Sequence, residues 1–448
     1  MREAELTRPG REKKQEGIPV AATKGTPAQG LAGATLGFFI GFAAVSLFGP
    51  TAKSLKGILE LTPLEVGLLV AAPSLSGSLL RIPFSAWVDT TGGRKPFLVL
   101  LLLSIVGMAG LFLTLHFCYP DRMPRSFYPL ILFLGVLCGC GIATFSVGIG
   151  QVAYWYPKPR HGTALGTYAG IGNLAPGIFT LLLPFALVSL GLPGSYLAWL
   201  AFLVAGTGLY AVVGRNAWYF QMIEQGVPGE EARAASAKLG QEIFPAGSLV
   251  ESLLLSSRIW KTWALVAVYF TTFGGFIALT AWLPVYWISF HSVTPVVAGT
   301  LAGAYSILTS LVRVGGGYLS DRLGGELTGI LALCFMMAGA LMMTLSGTFG
   351  LSVVAEIFLA IGMGVTNAAV FKLVAQEVPE AVGGAAGWVG GLGAFGGFAI
   401  PPVMGTVVQL RGATGYASGF VVFVGLAVVS LLLVGVLRRK RARNPGAM

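Results

Sequence analysis

Apolar runs of about 20 residues recur along the chain and constrain it more than any other feature of its sequence. Because a helix rises about 1.5 Å per residue, such a run is long enough to cross the hydrocarbon core of a bilayer, which is about 30 Å thick. Charged residues make up only 10% of the chain, whereas a soluble domain has about 25%. The sequence therefore predicts a helical membrane protein, since a helix satisfies its backbone hydrogen bonds within one segment.

We expect an all-α membrane protein with twelve transmembrane helices. The predicted spans are residues 31–52, 64–88, 96–117, 127–155, 162–189, 194–214, 259–286, 294–319, 327–347, 350–374, 384–409 and 416–437. Residues 1–29 are polar and lack the apolar core of a signal peptide, so they are predicted to form a disordered cytoplasmic tail. Residues 439–448 form a basic cytoplasmic tail.

The net charge of +11 indicates a membrane orientation rather than binding to nucleic acid. If the amino terminus is cytoplasmic, about 22 of the 29 Lys and Arg residues lie in the tails and loops of the cytoplasmic side. That asymmetry is typical of membrane proteins, whose cytoplasmic loops carry an excess of Lys and Arg. We therefore expect a multi-pass protein of the cell membrane, with the lipid bilayer as a partner and both termini in the cytoplasm.

A long charged connection divides the chain into two halves. It covers residues 215–258 and separates an N-terminal six-helix half at 30–214 from a C-terminal six-helix half at 259–438. The stretch "GEEARAASAKLGQEI" within this connection is predicted to form a short surface helix.

The two halves share an internal repeat. Arg81 precedes Asp89 by eight residues, and Arg313 precedes Asp321 by eight. Both residues of the first pair are 232 positions from their counterparts (313 − 81 and 321 − 89). Each aspartate is followed by a Gly-rich turn with a basic residue, Arg94 or Arg322. We expect these two elements to latch helix ends on the cytoplasmic side and to influence the conformational switch.

A second repeat consists of glycines. "ALGTYAGIGN" and "AAGWVGGLGA" align with a displacement of 221 positions. The aligned pairs are Gly166/Gly387, Gly170/Gly391 and Gly172/Gly393. Glycine faces in lipid indicate close helix packing, and they also allow helices to slide during a conformational change. Two parallel six-span repeats are typical of the major facilitator architecture, with the substrate site near the midplane between the repeats.

The two intramembrane arginines are the most informative polar residues. Eight residues of helix span about 12 Å, so Arg81 and Arg313 lie that far inward of their aspartates, near the bilayer centre. A charge there costs about 2.5–3.5 kcal/mol on insertion scales. The acidic residues of the spans, Glu65 and Glu356, do not lie at the depth of the two arginines. The pattern predicts that a small anion from outside the chain neutralises both guanidinium groups, which suit oxyanions. One arginine alone could instead snorkel or bind helix carbonyls.

The motifs resemble the nitrate/nitrite porter family of the major facilitator superfamily across all twelve spans. The resemblance is most specific in "YWYPKPRHGTALGTYAGIGNLAPG", in "GGLGAFGGFAIPPVMG" and in the spacing of the two arginines. It implies that Arg81 and Arg313 clamp nitrate or nitrite. It also implies that aromatic rings and small or amide residues complete the site: Phe145, Phe273, Tyr269, Asn173, Gly170 and Gly391. Asn173 breaks the repeat, because Ala394 stands at the matching position, and this favours a contact with ligand.

The resemblance leaves the coupling mode open, since family members either exchange nitrate for nitrite or carry nitrate with protons. We see no carboxylate or His at the predicted site and favour exchange, but Lys372 and Glu356 have no assigned role. A carrier of another small anion, such as a monocarboxylate, is the competing hypothesis. We expect a monomer without a metal or a cofactor. We do not expect an enzyme, because the sequence contains no nucleophile–base pair or metal-ligand cluster.

Overall fold

The structure is a computed structural model that describes residues 23–157, 160–245 and 249–443. Within these ranges the regular elements are helices and no strand occurs. The predicted disordered tail at residues 1–29 lies mostly outside the described residues, and the first helix already begins at Pro27.

The α-helices are numbered in chain order. They are α1 (Pro27–Phe42), α2 (Ala52–Leu59), α3 (Pro63–Leu79), α4 (Arg81–Thr91), α5 (Arg94–Cys118), α6 (Tyr128–Gly139), α7 (Thr144–Trp155), α8 (His161–Gly172), α9 (Leu174–Val213), α10 (Trp218–Glu224), α11 (Gly229–Lys238), α12 (Leu249–Ser257), α13 (Trp260–Tyr269), α14 (Gly275–Phe290), α15 (Pro295–Leu323), α16 (Gly325–Leu345), α17 (Phe349–Glu377), α18 (Val382–Leu392), α19 (Gly396–Arg411), α20 (Gly415–Ser418) and α21 (Val421–Arg443).

Several membrane helices begin at a threonine followed by proline. The Thr26 and Thr62 side chains accept hydrogen bonds from the backbone N–H groups of Gln29 and Glu65, which complete a capping box in return. Thr294 caps α15 in the same way, without the reciprocal bond. Proline suits the next position, because an N–H group in the first turn of a helix has no acceptor within the helix, so the N–H that proline lacks is not needed there. These local signals fix where the chain enters the membrane.

Eleven helical segments of the described chain are long and apolar enough to cross a membrane. One of them, residues 161–213, contains 53 residues, about twice the number that a single crossing needs. It contains a break at Gly191, where φ is 68° and ψ is −178°. This backbone conformation is essentially restricted to glycine.

Contacts with α1 and the turn after it show that the segment reverses at this break. Before Gly191, the Thr180 hydroxyl donates to Ser46 Oγ over 2.7 Å. After Gly191, the Tyr196 hydroxyl donates to the Leu47 carbonyl over 2.9 Å, and Gly206 packs against Ile40. The later residues therefore run back along the first span. Residues 161–213 cross the membrane twice, which gives the twelve spans that the sequence predicts.

Both ends of the described chain lie on one side of the membrane, here called the terminal side. The Trp218 indole N–H donates to the Gly25 carbonyl over 3.2 Å, and Lys440 Nζ lies 4.4 Å from the centre of the Trp260 ring. The connection between the halves therefore lies on the same side of the membrane as both ends of the described chain. Its helix α11 confirms the surface helix predicted there. We call the opposite side the distal side.

The first six spans contact the last six closely on the distal side. Gly67 on α3 lies against the backbone of Pro401 on α19, and Gly303 on α15 lies against the carbonyl of Gly177 on α9. Any larger side chain at these glycines would overlap the facing backbone. The distal half of the interface is therefore closed.

The two halves also touch nearer the terminal side, where Gly391 on α18 packs against Ile82 on α4 and Gly170 on α8 faces Val314 on α15. A side chain added at Gly166, Gly315 or Gly317 would meet no described atom of another segment within 4 Å. The residues between the halves are nevertheless buried, since Arg81 is 1% exposed and Phe273 0%.

Close packing within the first six spans predicts the effect of one substitution. A methyl group added at Gly139 would overlap the carbonyl of Pro73, whereas one added at Gly208 meets nothing within 4 Å. Overpacking typically costs about 1–3 kcal/mol. We therefore expect Gly139→Ala to lower the thermal unfolding temperature of the detergent-purified protein, and Gly208→Ala to leave it unchanged or slightly higher. Equal unfolding temperatures for the two variants would contradict this packing.

Candidate functional site

Most of the predicted site residues lie at interruptions of the membrane helices. Arg81 follows the break at Leu80, and Asn173 stands between α8 and α9. Phe145 follows a 3-10 turn at Cys140–Ala143, and Phe273 lies in a π-helical turn at Phe270–Gly274. Interrupted helices and π turns are typical of binding sites within membranes. Arg313 is the exception, since it lies in the unbroken helix α15.

Local sequence explains the break at Asn173 and a further break between α18 and α19. The break between α18 and α19 lies in "GGLGAFGG", where glycine weakens the helix. Asn173 is a residue whose side chain competes with helical hydrogen bonds. Both breaks therefore arise where the sequence has poor helix formers.

Arg81 is 1% exposed and joins the two halves. Its Nε donates to the Gly77 carbonyl on α3 over 3.0 Å. Its Nη1 donates to the Gly390 carbonyl on α18 over 3.0 Å. Nη2 is buried and has no hydrogen-bond partner among the described residues. Arg81 thus binds helix carbonyls, which was one of the alternatives considered for a single arginine. These bonds leave part of its guanidinium group free.

Arg313 faces the same two phenyl rings as Arg81. The Arg81 Cζ lies 4.8 Å from the centre of the Phe145 ring and 5.2 Å from that of Phe273. For the Arg313 Cζ the corresponding distances are 6.0 Å and 5.6 Å. The rings themselves lie 5.7 Å apart with an angle of 29° between their planes. Two cations therefore share one aromatic pair, which relieves part of their charge.

Neither arginine is neutralised by the chain itself. Within residues 23–157, 160–245 and 249–443 no ion pair includes Arg81 or Arg313, and Arg313 Nη1 is buried without a hydrogen-bond partner. An unpaired buried charge costs several kcal/mol. Unpartnered N–H groups of both guanidinium groups therefore remain available to an anion.

Two further polar groups lie beside the arginines. The Tyr269 ring stacks on Phe273 at 4.8 Å, and its hydroxyl is buried without a partner among the described residues. The carbonyl of Asn173 accepts a hydrogen bond from Ser310, one turn before Arg313, while its side-chain Oδ1 is buried and unpartnered in the described chain. The Tyr269 hydroxyl can donate to an anion held by the arginines, whereas Asn173 can do so only through its side-chain N–H groups, because Oδ1 is an acceptor.

The repeated glycines differ in their surroundings. Gly391 packs against Ile82, directly after Arg81, and Gly393 packs against Tyr269. Gly170 faces Val314, directly after Arg313. These three glycines therefore hold the site helices together.

The remaining glycines of the repeat have other neighbours. Gly172 packs against Phe38, and Gly387 lies near Leu253. The close packing expected of Gly166 does not occur in this structure, because a side chain added there would meet no described atom of another segment within 4 Å.

The two Asp-turn-basic elements form contacts within each half. Asp89 accepts a hydrogen bond of 2.5 Å from the Tyr154 hydroxyl. Arg94 does not pair with it and instead donates to the Ala211 carbonyl over 2.7 Å. These contacts tie α4 to α7, and α5 to α9, on the terminal side.

In the second half, Asp321 pairs with Lys372 over 2.9 Å. Arg322 lies on the Tyr318 ring at 4.4 Å instead of pairing with the aspartate. The pairing gives Lys372, which sequence reasoning left without a role, a place between α15 and α17.

Sequence reasoning missed three residues beside the site. Phe38 and Phe42 on α1 stand behind the aromatic pair, 5.2 Å from Phe145 and 6.4 Å from Phe273 respectively. Asn367 on α17 is buried with an unpartnered Oδ1 among the described residues. An asparagine inside the apolar run "GMGVTNAAV" was the available signal for Asn367, whereas a phenylalanine in an apolar helix gives none.

This geometry suits a small planar anion. A guanidinium group presents N–H donors in a plane that matches flat oxyanions. The rings of Phe145 and Phe273 add flat apolar surfaces beside both guanidinium groups. Among the described residues no cluster of His, Cys, Asp or Glu could hold a metal ion.

Comparison with known proteins assigns the fold and a set of relatives. The model of the Major Facilitator Superfamily matches residues 34–401 and 292–447. The nitrite extrusion protein of Bacillus subtilis is 28% identical over 404 residues, which cover 89% of this chain and 92% of that protein. A probable nitrate/nitrite antiporter NarK1 of Thermus thermophilus is 28% identical over 426 residues, covering 89% and 88%.

Solved structures agree with this fold. The xylose transporter XylE from E. coli, in a partially occluded inward open conformation, superposes with a TM-score of 0.69 at 14% identity. The match covers 92% of this chain and 99% of XylE.

The site predicts selective stabilisation by planar anions. A ligand that binds only the folded protein at 100 times its Kd stabilises it by about 2.7 kcal/mol. We expect nitrate, nitrite or formate to raise the thermal unfolding temperature of the purified protein, and sulfate to raise it less. The shift should largely disappear in Arg81→Lys and Arg313→Lys.

Arg233→Lys is the matched control, because Arg233 stacks on Phe244 in the connection, outside the site. A shift of equal size for sulfate, or a full shift in both site variants, would contradict the assignment.

Proposed function

Because the chain belongs to the Major Facilitator Superfamily, we propose that it is a secondary transporter of nitrate and nitrite that works by alternating access. One observation carries this proposal: Arg81 and Arg313 share the rings of Phe145 and Phe273 and have no carboxylate partner. The names of the relatives from Bacillus subtilis and Thermus thermophilus, which refer to nitrite or nitrate, support the same cargo.

Nitrate and nitrite match the chemistry of the candidate site. Each guanidinium group can donate two hydrogen bonds to the oxygens of a flat anion, and the phenyl rings lie beside both guanidinium groups. The free Tyr269 hydroxyl can donate a further hydrogen bond, whereas Asn173 can bind the anion only through its side-chain N–H groups. We propose that these residues bind the anion between the two halves of one chain, so that a monomer suffices for transport.

The charges of the site favour exchange. An empty site keeps two unpaired cations in the protein interior, whereas an anion neutralises them. A ligand shifts a conformational equilibrium only through a difference in its affinity for the two states. If the anion stabilises the intermediate closed on both sides, a loaded transporter switches and an empty one does not. The residues of the site therefore favour a cycle in which nitrate enters as nitrite leaves.

We further propose the arrangement of the chain in the cell membrane. Two six-helix halves, residues 30–214 and 259–438, rock about the site, and residues 215–258 connect them in the cytoplasm. The terminal side is cytoplasmic on this proposal, because about 22 of the 29 Lys and Arg residues then lie in cytoplasmic segments. The closed distal half of the interface would thus face away from the cytoplasm.

Nitrate transport tests the function directly. We expect reconstituted protein to take up nitrate into vesicles loaded with nitrite. Arg81→Lys should reduce this uptake about tenfold to a hundredfold, because a hydrogen bond to a charged group contributes about 1.5–3 kcal/mol. Arg233→Lys should transport normally. Unchanged uptake in Arg81→Lys would exclude the site, and formate outcompeting nitrate would instead indicate a monocarboxylate carrier.

Asp89 is expected to affect the rate of the cycle and not the affinity for anion. Asp89→Asn weakens the hydrogen bond from Tyr154 at the terminal side, where α4 must move between states. We expect nitrate exchange to slow severalfold while the anion-dependent rise in unfolding temperature persists. Asp121→Asn, on an exposed distal loop, is the control. Loss of the anion-dependent rise in Asp89→Asn would place Asp89 in the binding site instead.

A further inference from the structure

A cavity of about 390 Å³ lies on the terminal side of the first six spans. Three cations line it: Lys24 before α1, Arg94 at the start of α5, and Arg215 just after α9. None of them belongs to the anion site. Small-molecule sites in proteins usually measure about 300–1,000 Å³, so this cavity has room for more than a bare ion. Its other lining residues are Asn216, Gln221, Glu224 and Gln225.

Hydrogen bonds fix the walls of this cavity. The Arg94 backbone N–H donates to Asn216 Oδ1 over 2.9 Å, and Asn216 Nδ2 donates to the Thr91 carbonyl over 3.0 Å. The Lys24 backbone N–H donates to Gln221 Oε1, and Gln221 Nε2 donates to the Lys24 carbonyl, each over 2.8 Å. The segment before α1, the start of α5, the end of α9 and α10 are therefore held together. The cavity does not need a ligand to form it.

The charged ends of the three cations are not used by these bonds. In the described part of the chain no ion pair includes Lys24, Arg94 or Arg215. The one carboxylate of the lining, Glu224, pairs instead with Lys95 over 3.2 Å. An Nη atom of Arg94 donates to a backbone carbonyl of α9, but its Nε is buried without a partner among the described residues. The cavity therefore has an excess of positive charge and of free donors.

A phosphate group matches this set of donors. Guanidinium groups bind phosphate oxygens through paired N–H donors, and a Lys ammonium adds a compact charge. The amino end of α5 adds partial positive charge, because its first backbone N–H groups have no partners within the helix. None of the lining residues is aromatic, in contrast to the central site with its two phenyl rings. The cavity thus favours a multiply bonded tetrahedral anion over a flat one.

The cavity lies at the boundary of the membrane. Helix α5 begins at Arg94 and α9 ends at Val213, and both belong to segments that cross the membrane. Their ends on the terminal side lie at the level of lipid headgroups. Basic pockets between transmembrane helices bind anionic headgroups at this level.

We propose that this cavity is a binding site for a phosphate ester, in which Lys24, Arg94 and Arg215 donate hydrogen bonds to the phosphate oxygens. The headgroup of an anionic phospholipid and a soluble phosphate ester share this chemistry, and the position at the membrane boundary favours the lipid. The bound group holds α10, and with it the start of the connection between the halves, against the ends of α5 and α9. The site does not depend on the proposed transport of nitrate.

Lys24→Gln combined with Arg215→Gln, here called the cavity variant, tests the site. It removes two of the three cations and keeps the walls, because both residues hold the walls through backbone atoms. Native mass spectrometry of the full chain with added phosphatidylglycerol should detect a lipid that resists dissociation. We expect the affinity for this lipid to fall at least tenfold in the cavity variant, since hydrogen bonds to charged groups are the strong ones. Phosphatidylcholine, whose headgroup has no net charge, should bind weakly to both proteins.

Arg160→Gln combined with Lys238→Gln is the matched control, because both residues are exposed cations outside the cavity. This control should bind phosphatidylglycerol like the unaltered protein. Equilibrium dialysis with glycerol 3-phosphate tests the soluble source. Binding of this ester that is lost in the cavity variant, without a retained lipid, would assign the site to a soluble phosphate ester.

The proposal is overturned if neither probe binds, or if the probes bind equally well to the unaltered protein and the cavity variant. Without either probe, the two proteins should have the same thermal unfolding temperature. If the cavity variant unfolds early, the single variants Lys24→Gln and Arg215→Gln replace it, and each should lose part of the affinity. Neither assay contains nitrate, so a failure of nitrate transport leaves this test intact.

Discussion

Two guanidinium groups lie over the same pair of phenyl rings, and no carboxylate of the described chain neutralises them. The structure is organised around this pair. Arg81 connects the halves through the carbonyl of Gly390, while Arg313 lies on the unbroken helix α15 of the other half. Cation–π contacts and one carbonyl lower the cost of the charges without removing it. The remaining N–H groups are available to an anion, and this availability underlies the proposed transport of nitrate and nitrite.

Much of the fold could be predicted from sequence, because lipid permits few alternatives. The apolar runs predicted the spans, and contacts of Tyr196 and Gly206 with the first span explain how one segment of 53 residues contains two crossings. The eight-residue spacing of Arg81 and Asp89, repeated in the second half, placed both arginines at one depth. The resemblance to nitrate/nitrite porters is confirmed by the match to the superfamily and by the relatives.

Other features could not be predicted, because they depend on tertiary contacts between distant segments. The partner of Asp89 is Tyr154 and not the nearby Arg94, and the partner of Asp321 is Lys372, 51 residues away. Gly166 has no neighbour on another segment of the described chain, whereas the motif alone predicts packing for each of its glycines. Asn367 is a single polar residue in an apolar helix, a pattern that gives no indication of its neighbours.

The most direct measurement of the central claim is an experimental structure determined in the presence of nitrate. We expect planar density between the guanidinium groups of Arg81 and Arg313, in contact with the rings of Phe145 and Phe273. Nitrate bound elsewhere, or an Asp or Glu of the chain paired with both arginines, would contradict it.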